Sequence, residues 1–151
     1  MPRIVREAAV TWIGTVSRGE GVVTAASSGA FELPFTLASR IGDPEGKTSP
    51  EELIAAAHAS CYSTSLGSEL ARAGTPPERV HVRCTITMDQ VESGDHLIVA
   101  SHIAATAVAP GADAESVARA AEIADAGCPI STLIRASATV TVEATLEEGD
   151  S

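Results

Sequence analysis

Two cysteines stand in contexts that could support thiol chemistry. Cys61 lies within AAAHASCYSTSL, residues 55–66, where a run of small residues predicts a helix. Cys128 follows a glycine and precedes Pro129 in ADAGCPIS, residues 124–131. A cysteine that caps a new helix faces backbone N–H groups, and these favour the thiolate, which is the nucleophilic form. Either both thiols are small apolar fillers, or they meet in space and act together.

Several neighbouring residues have simpler structural interpretations. Cys84 lies on the apolar face of an alternating strand, so we expect it to be a small core residue without function. His58 could act as a base, although we favour a hydrogen-bonded helix histidine. Glu51 could be a first-turn acid that interacts with the helix dipole, and Glu52 fits a capping box. A metal site built from His58, Cys61 and Cys128 would have an incomplete ligand set, so we expect neither metal nor cofactor.

The composition favours one acidic globular domain over residues 1–151. Hydrophobic residues make up 44% of the chain and aromatic residues only 3%, so the core must be built from small aliphatic side chains. The formal net charge of −10 disfavours nucleic acid and anionic membranes as partners. The three cysteines lack C-x-x-C spacing, and no apolar run reaches the roughly 20 residues of a membrane span. A cytoplasmic protein is therefore the default expectation.

Hydrophobic periodicity and cap residues predict an α+β fold in the order β-β-β-α-β-β-α-α-β. Arg18 is expected at the tip of the first hairpin, and Pro34 restricts the third strand to an edge or a bulge. Ser49 and Pro50 predict the start of a long central helix that is buried on most sides. The predicted elements are strands Ala8–Val16, Gly21–Ala25 and Ala30–Ser39, a loop Arg40–Thr48, helix Pro50–Ala73, strands Val80–Met88 and Leu97–Val108, helices Asp113–Ala126 and Pro129–Arg135, and strand Ala138–Leu146.

The two cysteine segments together resemble one known family. TSPEELIAAAHASCYSTSL, residues 48–66, combined with AGCPIS, residues 126–131, is similar to the osmotically inducible protein and organic hydroperoxide resistance family. His58, three residues before Cys61, is closer to the osmotically inducible branch. The order of elements also matches, from the WIGT strand near Trp12 to the last strand, so the resemblance covers essentially the whole chain.

This resemblance implies a thiol peroxidase active in oxidative and osmotic stress defence. Cys61 would attack the hydroperoxide and become a sulfenic acid, and Cys128 would resolve it to a disulfide. An external thiol or dithiol, such as a lipoyl group, would restore both thiols. Family members activate the first cysteine with an arginine that a glutamate orients. Glu51 matches the glutamate, Arg40 is the best match for the arginine, and Arg18 is the competitor. Organic hydroperoxides are expected to be favoured over hydrogen peroxide.

The length of the predicted central helix limits how such a site could be assembled. Glu51 and Cys61 are ten residues apart on one predicted helix, so they differ by about 15 Å along its axis. A side chain cannot bridge that distance, so Glu51 and its arginine would have to come from an antiparallel second subunit. The family's intertwined homodimer agrees with this expectation. The alternative is a non-catalytic dimeric module that binds a ligand or acyl group and keeps its cysteines in the core.

Overall fold

The computed structural model describes residues 2–149 and has an α+β fold. Ten helices and strands follow one another in this part of the chain. They form two compact units, of which the first ends at Leu53 and the second begins at Ile54. The interpretation of residues 1–151 as a single domain stays a prediction. Within residues 2–149, no helix is both long and apolar enough to cross a membrane.

The N-terminal unit contains an antiparallel sheet of three strands in the order β1-β2-β3. The predicted hairpin is confirmed, and exposed Arg18 lies in the turn between β1 and β2. Pro34 lies in β3, which pairs only with β2 in this sheet, so the predicted edge position is confirmed as well. A proline is tolerated there because an edge strand has one side without ladder hydrogen bonds. The strands are β1 (Ala9–Ile13), β2 (Glu20–Thr24) and β3 (Glu32–Phe35).

A short helix, α1 (Leu37–Ile41), replaces the end of the predicted strand Ala30–Ser39 and the start of the predicted loop Arg40–Thr48. Thr36 and Ser39 form a reciprocal capping box, in which each side chain accepts the other's backbone N–H at 3.0 Å. This cap begins a helix where the apolar alternation predicts a continuing strand. The structure therefore adds one helix to the predicted order.

The long helix α2 (Pro50–Arg72) agrees with the predicted start and end. The Ser49 hydroxyl accepts the Glu52 N–H at 3.1 Å, as an N-cap should. The Glu52 carboxylate does not complete the expected capping box, because it accepts a hydrogen bond from the Thr48 hydroxyl at 2.7 Å instead. Glu52 nevertheless keeps a structural role at the start of the helix.

Helix α2 is buried along one face only in the single chain, and not on most sides as predicted. Residues four positions apart lie on the same face of a helix. The fully buried side chains have this spacing: His58, Tyr62, Leu66 and Leu70. The opposite face carries small exposed residues, among them Ala56, Ala57, Ser60 and Thr64.

The C-terminal unit packs helices on a three-stranded sheet in the order β4-β5-β6. β4 and β5 form an antiparallel hairpin, whereas β6 runs parallel to β5 because two helices connect them. Small side chains such as Ala105, Ala120, Ala121 and Ala124 dominate the core, as the low aromatic content predicts. The remaining elements are β4 (Arg79–Gln90), β5 (His96–Val108), α3 (Ala114–Gly127), α4 (Pro129–Arg135) and β6 (Thr139–Leu146).

Candidate functional site

The structure brings Cys61 and Cys128 into contact. Their sulfur atoms are 3.2 Å apart, and both residues are free thiols. A disulfide bond is about 2.05 Å long, so a displacement of roughly 1 Å would join them. Cys61 is half-buried, whereas Cys128 is completely buried. Cys61 is therefore partly accessible from solvent, and Cys128 is not.

Local structure explains the position of each thiol. Cys61 lies on α2 beside the buried face that ties this helix to the C-terminal unit. Cys128 is the N-cap of α4, with extended backbone angles, and Pro129 is the first residue of the helix. The Ser131 N–H donates to the Cys128 sulfur at 3.5 Å, which completes the cap. The predicted helix start after Gly127 is confirmed.

The two thiols differ in acidity within the single chain. Burial is the largest influence on Cys61 and raises its pKa, and the nearby Cys128 sulfur raises it further. Burial also opposes the thiolate of Cys128, but the N–H and hydroxyl of Ser131, together with Cys61 and the Ile130 N–H, bring the pKa of Cys128 below its ordinary value. The groups of residues 2–149 with the largest effects on the pKa of Cys61 include no cationic side chain. Cys128 is thus the more acidic thiol of the pair.

Arg40 and Glu51 form an ion pair in the N-terminal unit. The Nε and Nη2 atoms of Arg40 donate to the same carboxylate oxygen of Glu51, Oε1, at 2.8 and 2.6 Å. Burial is the largest influence on Glu51 and opposes its ionisation, but the hydrogen bond and charge of Arg40, together with hydrogen bonds from the Glu51 backbone and the Ser49 side chain, hold the Glu51 pKa below its ordinary value. The other oxygen, Oε2, is buried and has no hydrogen-bond partner among the described residues. Glu51 therefore orients the guanidinium and keeps one acceptor unused.

An apolar cavity of about 190 Å³ opens beside Arg40 in the N-terminal unit. Trp12 and Phe35 contribute their rings, whose centroids are 5.5 Å apart. Arg18 is not among the residues that line it. This cavity is not predictable from local sequence patterns, because its two rings come from strands that lie apart in the chain. The lining residues are Trp12, Val16, Phe35, Thr36, Leu37, Arg40 and Pro50.

His58 is completely buried and hydrogen-bonded, as the structural interpretation predicts. Its Nδ1 atom lies 2.6 Å from the Ser101 hydroxyl, and its Nε2 atom lies 2.7 Å from the Ser131 hydroxyl. Burial lowers the His58 pKa and favours the neutral ring. Cys84 is half-buried, and its sulfur lies 3.3 Å from the same Ser101 hydroxyl. Neither serine was identified from the sequence, although Ser101 is a polar residue in a mostly apolar strand.

No metal centre is visible in the geometry of the described chain. Across residues 2–149, no three side chains of the types His, Cys, Asp and Glu are placed to hold a metal ion together. The set His58, Cys61 and Cys128 therefore does not converge as metal ligands. Cys61 and Cys128 instead face one another directly.

Comparison with known sequences identifies a family for this arrangement. The sequence model described as OsmC-like protein matches residues 42–143, a range that contains Glu51, Cys61 and Cys128. The chain is 33% identical over 129 residues to a protein named peroxiredoxin OsmC from Escherichia coli strain K12. That alignment covers 85% of this chain and 89% of the relative. A protein of the same name from Shigella flexneri matches to the same extent.

Solved structures of similar fold include proteins described as organic hydroperoxide resistance proteins and OsmC-like proteins. The organic hydroperoxide resistance protein OhrB of Bacillus subtilis superimposes with a TM-score of 0.72 and 21% identity, covering 92% of this chain and 98% of that one. An OsmC-like protein of unknown function from Vibrio cholerae gives a TM-score of 0.76 and 16% identity, covering 94% and 99%. Because the sequence identities are only 21% and 16%, this structural similarity establishes the fold alone.

The Arg40–Glu51 ion pair predicts a pH-dependent contribution to stability. A carboxyl group whose pKa is depressed on folding stabilises the fold above its ordinary pKa, and this contribution is lost as the pH falls through the folded value. Glu51→Gln should therefore lower the urea midpoint at about pH 7, and the difference from wild type should shrink at about pH 3.5. The Arg40 side chain is 41% exposed, so solvent screening keeps the effect small.

Fluorescence of Trp12, the only tryptophan, reports on the unit that contains this pair. Glu32→Gln, at an exposed position in the same unit, is the matched control. A difference between wild type and Glu51→Gln that does not change with pH would show that the ion pair does not stabilise the fold.

Proposed function

Because the chain belongs to the OsmC-like protein family, we propose that it is a cysteine-based peroxidase that reduces organic hydroperoxides. The observation that carries this proposal is the contact of Cys61 and Cys128 at 3.2 Å, with only Cys61 open to solvent. A peroxidatic thiol must be reachable, and its partner must be close enough to trap the oxidised sulfur before further oxidation. The contact between the two thiols, with one of them partly exposed, meets both requirements.

The proposed reaction has three steps. The Cys61 thiolate attacks the terminal oxygen of the hydroperoxide, so an S–O bond forms, the O–O bond breaks, and Cys61 becomes a sulfenic acid. The departing alkoxide takes one proton from solvent, equal to the proton that the Cys61 thiol released, and leaves as an alcohol. The Cys128 sulfur then attacks the Cys61 sulfur, an S–S bond forms, and the hydroxyl group leaves as water. An external thiol or dithiol, of which a lipoyl group is one kind, reduces the disulfide and restores both thiols.

Activation of Cys61 is proposed to come from a second subunit. The pKa of Cys61 is raised in the single chain, and no cation is among the described groups with the largest effects on it. Arg40, oriented by Glu51, would supply the positive charge that favours a thiolate. Ten residues of helix separate Glu51 from Cys61, about 15 Å along the axis. The exposed face of small residues on α2, including Ala57 and Ser60, suits close packing of two antiparallel helices in a homodimer.

The apolar cavity beside Arg40 supports a preference for organic hydroperoxides over hydrogen peroxide. An alkyl group gains free energy when it leaves water for surfaces such as those of Trp12 and Phe35, and hydrogen peroxide has no alkyl group. The guanidinium at the edge of the cavity would bind the polar peroxide end. A cytoplasmic role in oxidative and osmotic stress defence is part of the proposal, and membership of the OsmC-like family supports it. The same cavity favours a second candidate, a non-catalytic module that binds a ligand or acyl group.

The proposed roles of Cys61 and Cys128 predict that their serine variants stop the reaction at different steps. Cys61→Ser should abolish turnover of cumene hydroperoxide with a dithiol reductant, because no nucleophile remains. Cys128→Ser should consume about one equivalent of peroxide and then stop as a sulfenic acid, which dimedone labels, or over-oxidise. Circular dichroism should show an unchanged fold in both variants. Turnover by Cys61→Ser at near wild-type rate would contradict the assignment and leave the binding module as the better candidate.

The dimeric site predicts complementation between two inactive variants. Arg40→Ala should raise the Cys61 pKa, because a nearby cation favours the thiolate. The rate of iodoacetamide alkylation against pH measures that shift, and Arg18→Ala is the control that tests the competing arginine. Co-expressed Cys61→Ser and Arg40→Ala subunits, purified through two tags, should regain activity, because one site then has both an intact thiol and an intact arginine. No recovery in verified heterodimers would place Cys61 and Arg40 of one site in the same subunit or implicate Arg18.

A further inference from the structure

Cys128 is the single residue that separates α3 from α4. It is the C-cap of α3, which ends at Gly127, and the N-cap of α4, which begins at Pro129. Its backbone is bonded to both helices: the Cys128 N–H donates to the Asp125 carbonyl at 3.3 Å, and the Cys128 carbonyl accepts the Thr132 N–H at 3.1 Å. The angle between the two helices at this corner therefore fixes the position of the Cys128 sulfur.

An ion pair crosses the same corner. The Nη2 atom of Arg135, in the last turn of α4, donates to the Oδ2 atom of Asp125 at 2.5 Å. Asp125 lies in the last turn of α3, so the two residues are ten positions apart with Cys128 between them. The pair thus joins the far end of α4 to the end of α3 and opposes a change in the angle between the helices.

Asp125 lies where its own helix does not favour an acidic side chain. The C-terminus of a helix carries a partial negative charge, so a carboxylate in the last turn destabilises the helix. The last turn of α3 has no basic residue that would offset this charge. The Oδ1 atom of Asp125 is also buried without a hydrogen-bond partner among the described residues, which adds a desolvation cost. The ion pair with Arg135 explains this carboxylate better than the stability of α3 does.

We propose that Asp125 and Arg135 are positioning residues for the resolving step: their ion pair holds the α3–α4 corner at the angle that presents the Cys128 sulfur to Cys61. The proposal rests on the peroxidase function proposed above. The pair acts through the two helices and the Cys128 backbone to which both are bonded.

The distance between the two sulfur atoms explains why the corner angle matters. They are 3.2 Å apart, and a disulfide bond is about 2.05 Å long, so they approach by roughly 1 Å when the bond forms. In the resolving step the S–S bond forms, the S–O bond of the Cys61 sulfenic acid breaks, and the hydroxyl group leaves with the Cys128 thiol proton as water. Misplacement of a reacting group by about 1 Å can cost about a hundredfold in rate.

The equilibrium of the Cys61–Cys128 disulfide with glutathione tests this role without peroxide. Oxidised glutathione forms a mixed disulfide with the partly exposed Cys61 and releases one glutathione thiol, and Cys128 then displaces the second. Acid quenching, alkylation of the denatured protein and mass spectrometry give the fraction of disulfide. Arg135→Gln should lower the equilibrium constant about threefold, the size expected for loss of one partly exposed ion pair.

Two further variants separate positioning from a general loss of stability. Arg119→Gln is the matched control, because it removes the exposed Glu115–Arg119 pair within α3, which does not cross the corner. Its equilibrium constant should equal that of wild type. Exchange of the two charges, Asp125→Arg together with Arg135→Asp, should return the constant most of the way to wild type, because the ion pair across the corner is restored.

The rate of the resolving step completes the test. After one equivalent of cumene hydroperoxide, Arg135→Gln should form the disulfide about threefold more slowly and give more dimedone adduct, while the preceding consumption of peroxide is not slowed. Glutathione equilibrium constants equal to that of wild type in both Arg135→Gln and Asp125→Asn would overturn the proposal, and Asp125→Asn alone decides if Arg135→Gln does not fold. Absence of peroxide consumption in wild type would instead refute the peroxidase function, while the glutathione equilibrium would still decide the role of the ion pair.

Discussion

The burial of one face of α2 is the constraint on which the site in the C-terminal unit depends. His58, Tyr62, Leu66 and Leu70 follow one another at four-residue spacing, and their complete burial fixes both the position and the rotation of the helix. Because the rotation is fixed, Cys61 lies at the boundary between core and solvent. Its sulfur then meets Cys128, which the start of α4 places at the edge of the same core. The buried histidine adds polar specificity, because its two ring nitrogens bond to a strand on one side and to α4 on the other.

Within the thiol pair, Cys61 is the more accessible to solvent, whereas Cys128 has the lowered pKa. Cys61 can be reached from solvent, but its pKa is raised by burial, whereas Cys128 is out of reach and has the lowered pKa. Under the proposed roles, the resolving thiol is the one with the lowered pKa, and the peroxidatic thiol still requires a positive charge. The Arg40–Glu51 pair offers such a charge in fixed orientation, on the other unit of the chain. A dimer that brings the two together would make activation of Cys61 depend on assembly.

Local signals in the sequence predicted most of the fold, and long-range contacts account for what was missed. Ser49 with Pro50, and Gly127 with Pro129, predicted helix starts correctly because a cap depends on a few adjacent residues. Helix α1 was missed because its capping box coincides with an alternating apolar pattern. The pairing of Arg40 with Glu51 and of Cys61 with Cys128 came from family resemblance, and the structure brings both pairs together. Ser101 and Ser131 lie 43 and 73 residues from His58, so no local pattern connects them.

Counting free thiols before and after one equivalent of cumene hydroperoxide separates a thiol peroxidase from a binding module most directly. Reaction through Cys61 and Cys128 should remove two of the three thiols, and mass spectrometry should find these two residues in one disulfide with Cys84 still reduced. The loss should be faster than with one equivalent of hydrogen peroxide, because only the organic peroxide has an alkyl group for the apolar cavity. Retention of all three thiols would contradict the peroxidase function, and a disulfide that contains Cys84 would contradict the pairing.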